Sequence, residues 1–303
     1  MYELVREWLQ LPKGYIMGNP TGISMDNYQN IVVFRRAGRP WMDPMPDTCI
    51  AEKTILILDR YSGKIINSWG DQLFILPHGL TIDAHDNIWV TDVGQHQIFK
   101  FSYTGELLLK LGEANVPGND RNHFNLPTDI AVAADGSFYV SDGYGNSRVV
   151  KFSADGNYLF EWGEKGSQPG QFNLPHGIEL DTEGNVFVAD RENNRIQVFT
   201  GKGKFLEERS SKSFGKIYSL AFDKSNGQLI AVDHTLDDKG GPLGSDIIVF
   251  DTVNRQFTQF GRSSSFYNGP VCEYHGVVID DEGSIYVGDI IGNTIHKFRK
   301  TTH

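Results

Sequence analysis

Three histidines stand where a metal could be held. Aligning the six internal repeats on the residue after a proline, or its equivalent, gives one column: Thr21, His78, Thr128, His176, Ser219 and His275. The chain has only nine histidines in 303 residues, so three of them on alternate members of one column is not the scatter expected of structural imidazoles. In a ring of six, alternate positions are about 120° apart, and the start of each innermost strand lines the central channel. The three side chains should therefore converge on the axis. Three imidazole nitrogens suit a divalent transition metal, zinc above all, which accepts them at about 2.0–2.1 Å and keeps a fourth position for water or substrate.

A second set of residues follows the end of each repeat's second strand, which returns to the same face as the histidines. Here stand Arg36 after VVFR, Tyr144 in SDGYGN and Arg191 in ADREN, each unlike its counterparts in the other repeats. A phenol beside arginines suits proton transfer, because a neighbouring cation favours the phenolate. A planar guanidinium suits a carboxylate. The recurring Asp92, Asp142, Asp190 and Asp289 at the strand end itself read instead as acceptors for turn donors.

The elements that must position these groups are copies of one unit, seen most fully in FNLPHGIELDTEGNVFVADRENNRIQVF, Phe172 to Phe199. Apolar alternation, a turn in which Gly184 can take positive φ, a returning β-branched and aromatic run and a third strand make a small antiparallel meander. Six such copies, roughly 50 residues apart and each of about four strands, predict an all-β, six-bladed β-propeller formed by residues 1–303 as a single domain. The sixth copy, YHGVVIDDEGSIYVGDIIGNTIHKF, stops after three strands. The N-terminal YELVREWL has the pattern of a fourth strand and is expected to close the ring, sealing an otherwise exposed sheet edge. A short amphipathic helix is the alternative for that segment.

Composition narrows the partners. A formal charge of −10 and no basic stripe argue against nucleic acid, and no apolar run approaches a membrane span. The opening residues lack a basic region followed by an apolar one, and Cys49 and Cys272 fit no disulfide framework. A cytoplasmic monomer is the expectation, with a secreted or periplasmic one if a leader has been removed.

The segments VVFRRAG, LPHGLTID, NHFNLPTDIAV, SDGYGNSR, PGQFNLPHGI, VADRENNRIQ and YHGVVIDDEGSIYVGD, in this order over nearly the whole chain, resemble the peptidyl-α-hydroxyglycine α-amidating lyase family of NHL-type propellers, as a stand-alone bacterial-type member. The resemblance implies a catalytic zinc on His78, His176 and His275, a catalytic Tyr144, and active-site arginines Arg36 and Arg191. It implies cleavage of an N,O-hemiaminal, a peptidyl-α-hydroxyglycine giving an amide and glyoxylate, with the substrate carboxylate held by arginine. The chain departs from the family in places. An acidic residue that helps hold a structural calcium is replaced by Gly276, where Ile23 and Leu80 offer only carbonyls, so Ca2+ is not firmly implied. Asn125 and Gly145 occupy the place of a disulfide, and Cys272, Glu273 and Tyr274 precede the third histidine where an apolar residue and proline are usual. Two other readings stay open: a zinc enzyme acting on another small hydroxylated amide or lactone, and a non-enzymatic propeller that binds a protein partner.

Overall fold

The meander predicted from the repeats recurs around a ring. A computed structural model describes residues 1–251, 254–261 and 271–301; Thr252 and Val253, in the expected outer turn of the fifth repeat, lie outside them. Six antiparallel sheets follow one another as blades, five of them built from consecutive strands. Their innermost strands are Pro20–Met25, Pro77–Ile82, Asp129–Val132, Pro175–Leu180, Lys216–Asp223 and Tyr274–Ile279. Blade five carries one added strand, Pro242–Gly244, paired with the overlong Gln228–Leu236. No helix among the described residues is long and apolar enough to cross a membrane.

The second strand of a blade is sandwiched between neighbours, which explains why IWVTD, FYVSD and VFVAD are buried at every position. Outer strands alternate instead, as in Phe205–Ser210, where each exposed residue follows a half-buried one. The hydrophobic core is consequently divided into one cluster per blade interface. Val90 and Phe99 meet Phe34 and Ile57 between blades two and one, and Val277 and Val287 meet Ile230 and Val249 between blades six and five. No blade buries both faces alone, so the ring must close to complete the last interface.

Closure follows the expectation from sequence. Tyr2–Leu4 pairs antiparallel with Thr294–Lys300, Tyr2 opposite Lys300, and supplies blade six with its outer strand. The alternative helix does not form. Beyond the strand the chain turns at Glu7, which takes a φ of 58°, and drops Trp8 into the cluster between blades six and one. There its indole Nε1 donates to the Arg60 carbonyl at 2.7 Å, and its ring meets Tyr286 edge-on.

Below the histidines the channel narrows to a cavity of about 60 Å³, enough for a few waters and no substrate. Two carboxyls face it from blades three and four. Asp129 accepts from Ile130 and Ile178 main-chain N–H groups and Glu179 from Leu180. Burial lifts Asp129 to about 8, Glu179 adding to the rise, and burial lifts Glu179 to about 7.

Two predictions follow from closure and from these carboxyls. Trp8→Ala should cost about 3–5 kcal/mol, measured by denaturant unfolding; a loss under about 1 kcal/mol would show that the N-terminal segment does not seal the ring. A carboxyl whose folded pKa is raised stabilises most at low pH and loses that contribution as pH climbs from its unfolded value through its folded one. Glu179→Gln should therefore gain stability over the parent protein between about pH 5 and pH 8.5, on the order of 1–2 kcal/mol. Parallel melting curves at both pH values would contradict this.

Candidate metal centre and active site

The histidines reach the axis because of a bulge repeated in the innermost strands. Tyr274 pairs with Asp289 and Gly276 with Gly288, leaving His275 without a partner in the ladder. The same skip frees His78 between Pro77 and Leu80 and His176 between Pro175 and Ile178. A bulge re-aims the extra side chain, here into the channel. In blade five the freed residue is Tyr218, since Ile217 pairs with Asp233 and Ser219 with Val232. The column expected to hold Ser219 therefore holds Tyr218; this degenerate repeat has no proline to mark the register.

Each histidine is tied to the next blade. His78 Nδ1 lies 2.7 Å from the Thr128 carbonyl, His176 Nδ1 2.6 Å from that of Tyr218, and His275 Nδ1 2.8 Å from that of Thr21. A carbonyl only accepts, so Nδ1 carries the proton and Nε2 keeps its lone pair. The glycine after each histidine is set by the same contact. A Cβ on Gly79 would lie 2.5 Å from the Thr128 oxygen, on Gly177 2.8 Å from that of Tyr218, and on Gly276 3.0 Å from that of Thr21.

The three rings are buried and mutually 4.6–4.9 Å apart by centroid. Their ligand atoms lie within 4.8 Å of one another. Burial first, then neighbouring histidines or Arg36, holds all three pKa values far below the ordinary imidazole range, His275 at about 3. Three neutral imidazoles with fixed tautomers and converging lone pairs form a donor set that fits a transition metal such as zinc.

Tyr144 and the arginines gather over this triad. The Tyr144 hydroxyl stands 3.0 Å from His78 Nε2 and 3.1 Å from His176 Nε2, with Arg191 Nη1 at 3.5 Å. Its loop is held by Gly145 N–H donating to the Asn125 carbonyl at 2.9 Å, in the place where relatives were expected to carry a disulfide. Among the protein groups burial wins, raising the phenol's pKa, while Arg191 and then Arg36 pull it back in part. The easier ionisation expected from the arginines alone is thus reversed by desolvation.

The two arginines are not equivalent. Arg191 directs Nε and Nη2 at Glu192, 3.0 and 2.9 Å away, and Glu192 also receives Lys216 at 2.7 Å. Its guanidinium lies over the rings of Tyr144 and Tyr218. The Nε and Nη2 edge of Arg191 is thus occupied by Glu192. Arg36 anchors Nε on the Pro77 carbonyl at 3.0 Å and lies over Trp41, and its two Nη groups donate to no residue among those described.

The strand-end aspartates are structural, as expected. Asp92 accepts from the N–H groups of Ile75 and Leu76, Asp190 from Asn173, and Asp289 from Glu273. Sequence reasoning missed three residues around the triad. Trp41, from the insert in blade one, is exposed yet packs on Tyr144 with centroids 4.7 Å apart. Tyr218 and buried His234 come from blade five; Glu273, in the segment before His275 that the sequence marked as a departure, joins them beside Tyr218. His234 lies inside the overlong second strand but one register step past Asp233, as Arg36 stands past Arg35 and Arg191 past Asp190, so correct blade-five register would have found it and Tyr218; nothing local marks Trp41.

The NHL repeat family matches residues 74–101, 124–152 and 172–199, the first three strands of blades two, three and four. Among solved structures, a streptogramin B lyase covers 98% of this chain and 97% of its own at TM-score 0.63 and 17% identity. A gluconolactonase from Xanthomonas campestris covers 94% and 87% at TM-score 0.64 and 15% identity. At such identities the likeness concerns the fold alone. Peptidyl-glycine alpha-amidating monooxygenase of Mus musculus is 37% identical over 98% of this chain and 32% of its own length. The chain spans about a third of such relatives. Probable peptidyl-alpha-hydroxyglycine alpha-amidating lyase pgal-1 of Caenorhabditis elegans is 41% identical over 93% of this chain and 83% of that protein. With identity of that extent running through all six blades, the chain belongs to the peptidyl-α-hydroxyglycine α-amidating lyase family.

Proposed function

We propose that this site cleaves N,O-hemiaminals of the peptidyl-α-hydroxyglycine type into an amide and glyoxylate, with zinc held by His78, His176 and His275. The observation that carries the reading is the Tyr144 hydroxyl, shared between two ligand nitrogens and an arginine. Family membership supports it. Zinc, when bound, supplies a Lewis acid that lowers the pKa of the substrate hydroxyl.

The protein groups do the rest. Arg36, with its fork open, takes the substrate carboxylate, and Trp41 closes one side of the place where it sits. Tyr144, as phenolate, accepts the proton of the α-hydroxyl. Arg191, held by Glu192, itself paired with Lys216, faces the phenolate and offsets part of its desolvation. The C–N electron pair leaves with nitrogen, the hydroxyl oxygen becomes the aldehyde oxygen of glyoxylate, and Tyr144 returns its proton to nitrogen to complete the amide. No water is consumed. The carboxylate-bearing substrate is a small molecule or peptide, and nothing in the reaction requires a second subunit.

Two measurements test the reading. His176→Ala leaves two imidazoles, which make a weak site; purified variant should have lost most of its zinc, and full occupancy by metal analysis would rule out the triad. Tyr144→Phe keeps the ring and the metal but should lower kcat for glyoxylate release by about 10²–10⁴-fold, whereas Arg36→Ala should act mainly on KM. Activity of Tyr144→Phe at the parent level would remove the phenol from the mechanism. No glyoxylate from any hemiaminal tested would turn attention to other hydroxylated amides or lactones.

A further inference from the structure

Around the triad, charge is divided by blade. Arg36 and Arg191 come from blades one and four, with Tyr144 of blade three between them. Blades five and six contribute Tyr218, His234 and Glu273. Glu273 is half-buried, two residues before His275, with its N–H donating to Asp289 at 3.0 Å and its carbonyl accepting from Ile290 at 3.0 Å. Its backbone is therefore fixed by blade six. Its carboxylate is in no salt bridge among the described residues, and it lies beside the Tyr218 hydroxyl, within electrostatic reach of Arg36, Tyr144 and His234. His234 is held neutral, chiefly by burial, and Lys216 is already engaged by Glu192. The acidic side of the rim thus has one carboxylate with no cation of its own.

We propose that Glu273 determines substrate choice by charge, favouring hydroxyglycine substrates whose preceding residue carries a cation. The orientation rests on the reading above: with the carboxylate anchored on Arg36 of blade one, and Tyr144 and Arg191 of blades three and four on one side of the axis, the acyl part lies on the other side, over blades five and six. There a basic side chain completes an ion pair with Glu273, and an acidic one meets repulsion in a partly desolvated site, where charge pairs are stronger than in bulk water.

The test uses unreactive glycine-ended peptides, so that it does not depend on turnover. Calorimetric binding of N-acetyl-Lys-Gly, N-acetyl-Gln-Gly and N-acetyl-Glu-Gly to zinc-loaded protein should rank lysine tightest and glutamate weakest. The two ends of the series should differ by roughly tenfold or more in Kd at low salt. In Glu273→Gln the series should collapse to within about twofold, with the Kd of the glutamine peptide unchanged. An unaltered series in the variant overturns the proposal, and so does the absence of any ranking, or of any binding, in the parent protein. Uniform tightening of all three peptides in Glu273→Gln also overturns it, because Glu273 would then be a counter-ion that competes for Arg36. Glyoxylate release from the corresponding hydroxyglycine peptides is measured separately: ranking without release sinks the lyase reading and keeps this one, and release without ranking does the reverse.

Discussion

The site depends on one hydrogen bond made three times, from a histidine Nδ1 in one blade to a main-chain carbonyl in the next. It fixes the tautomer, so that each Nε2 presents a lone pair to the axis. It also draws adjacent inner strands so close that a Cβ after His78 or His176 would clash with the neighbouring backbone, and one after His275 would be tight. At His78 and His176, His-Gly is therefore one structural requirement and not two coincident residues. The alternate blades complete the circuit: the hydroxyls of Thr21 and Thr128 donate to the carbonyls of Pro77 and Pro175 at 3.1 and 2.9 Å. The residue before each of these two histidines is thereby held from the preceding blade. The geometry of the centre is a consequence of ring closure, which is why a three-residue strand at the N-terminus bears on chemistry at the axis.

Much of this was legible because a propeller writes its geometry as a period. Repeat number, closing strand and the three histidines all follow from aligning copies, and a bulge that recurs at the same point in five of the six copies leaves alignment intact. Legibility failed where the period failed. Blade five has Ile217 where four of the other five copies have proline, and the one-residue displacement hid Tyr218. Trp41 lies in an insertion without counterpart, and its insert is recognisable as part of the site only when Met45 and Cys49 are seen packed with Ile75, Leu76 and Tyr144. Electrostatics was the least legible. Proximity of arginine to Tyr144 was correctly read, but the sign of the net effect turns on burial, which spacing does not report.

Burial also decides what the channel beneath the site can do. Gly276 has no side chain, and an added Cβ would press on Ile23 and the Thr21 carbonyl, both at 3.0 Å, so an acidic residue there needs the inner strands to give way. The carboxyls that do face the channel belong to Asp129 and Glu179, and their raised pKa values mean that charge is resisted and not accumulated. A neutral channel below neutral imidazoles leaves the fixed positive charge of the site to the arginines above.

Those two arginines then divide one task that a single residue could not perform. A guanidinium that grips a substrate carboxylate has its charge largely spent there, and would do little for a buried phenolate a few ångströms away. Arg191 escapes this because Glu192, itself paired with Lys216, holds its Nε and Nη2 edge, and the rings of Tyr144 and Tyr218 lie against its face. The pair with Glu192 weakens its field without moving it. Arg36 has the opposite arrangement, one Nε anchor and an open end, which suits a ligand that arrives and leaves. On the proposed reading, fixed charge for the proton acceptor and exchangeable charge for the substrate reside on different blades, Arg191 on blade four and Arg36 on blade one.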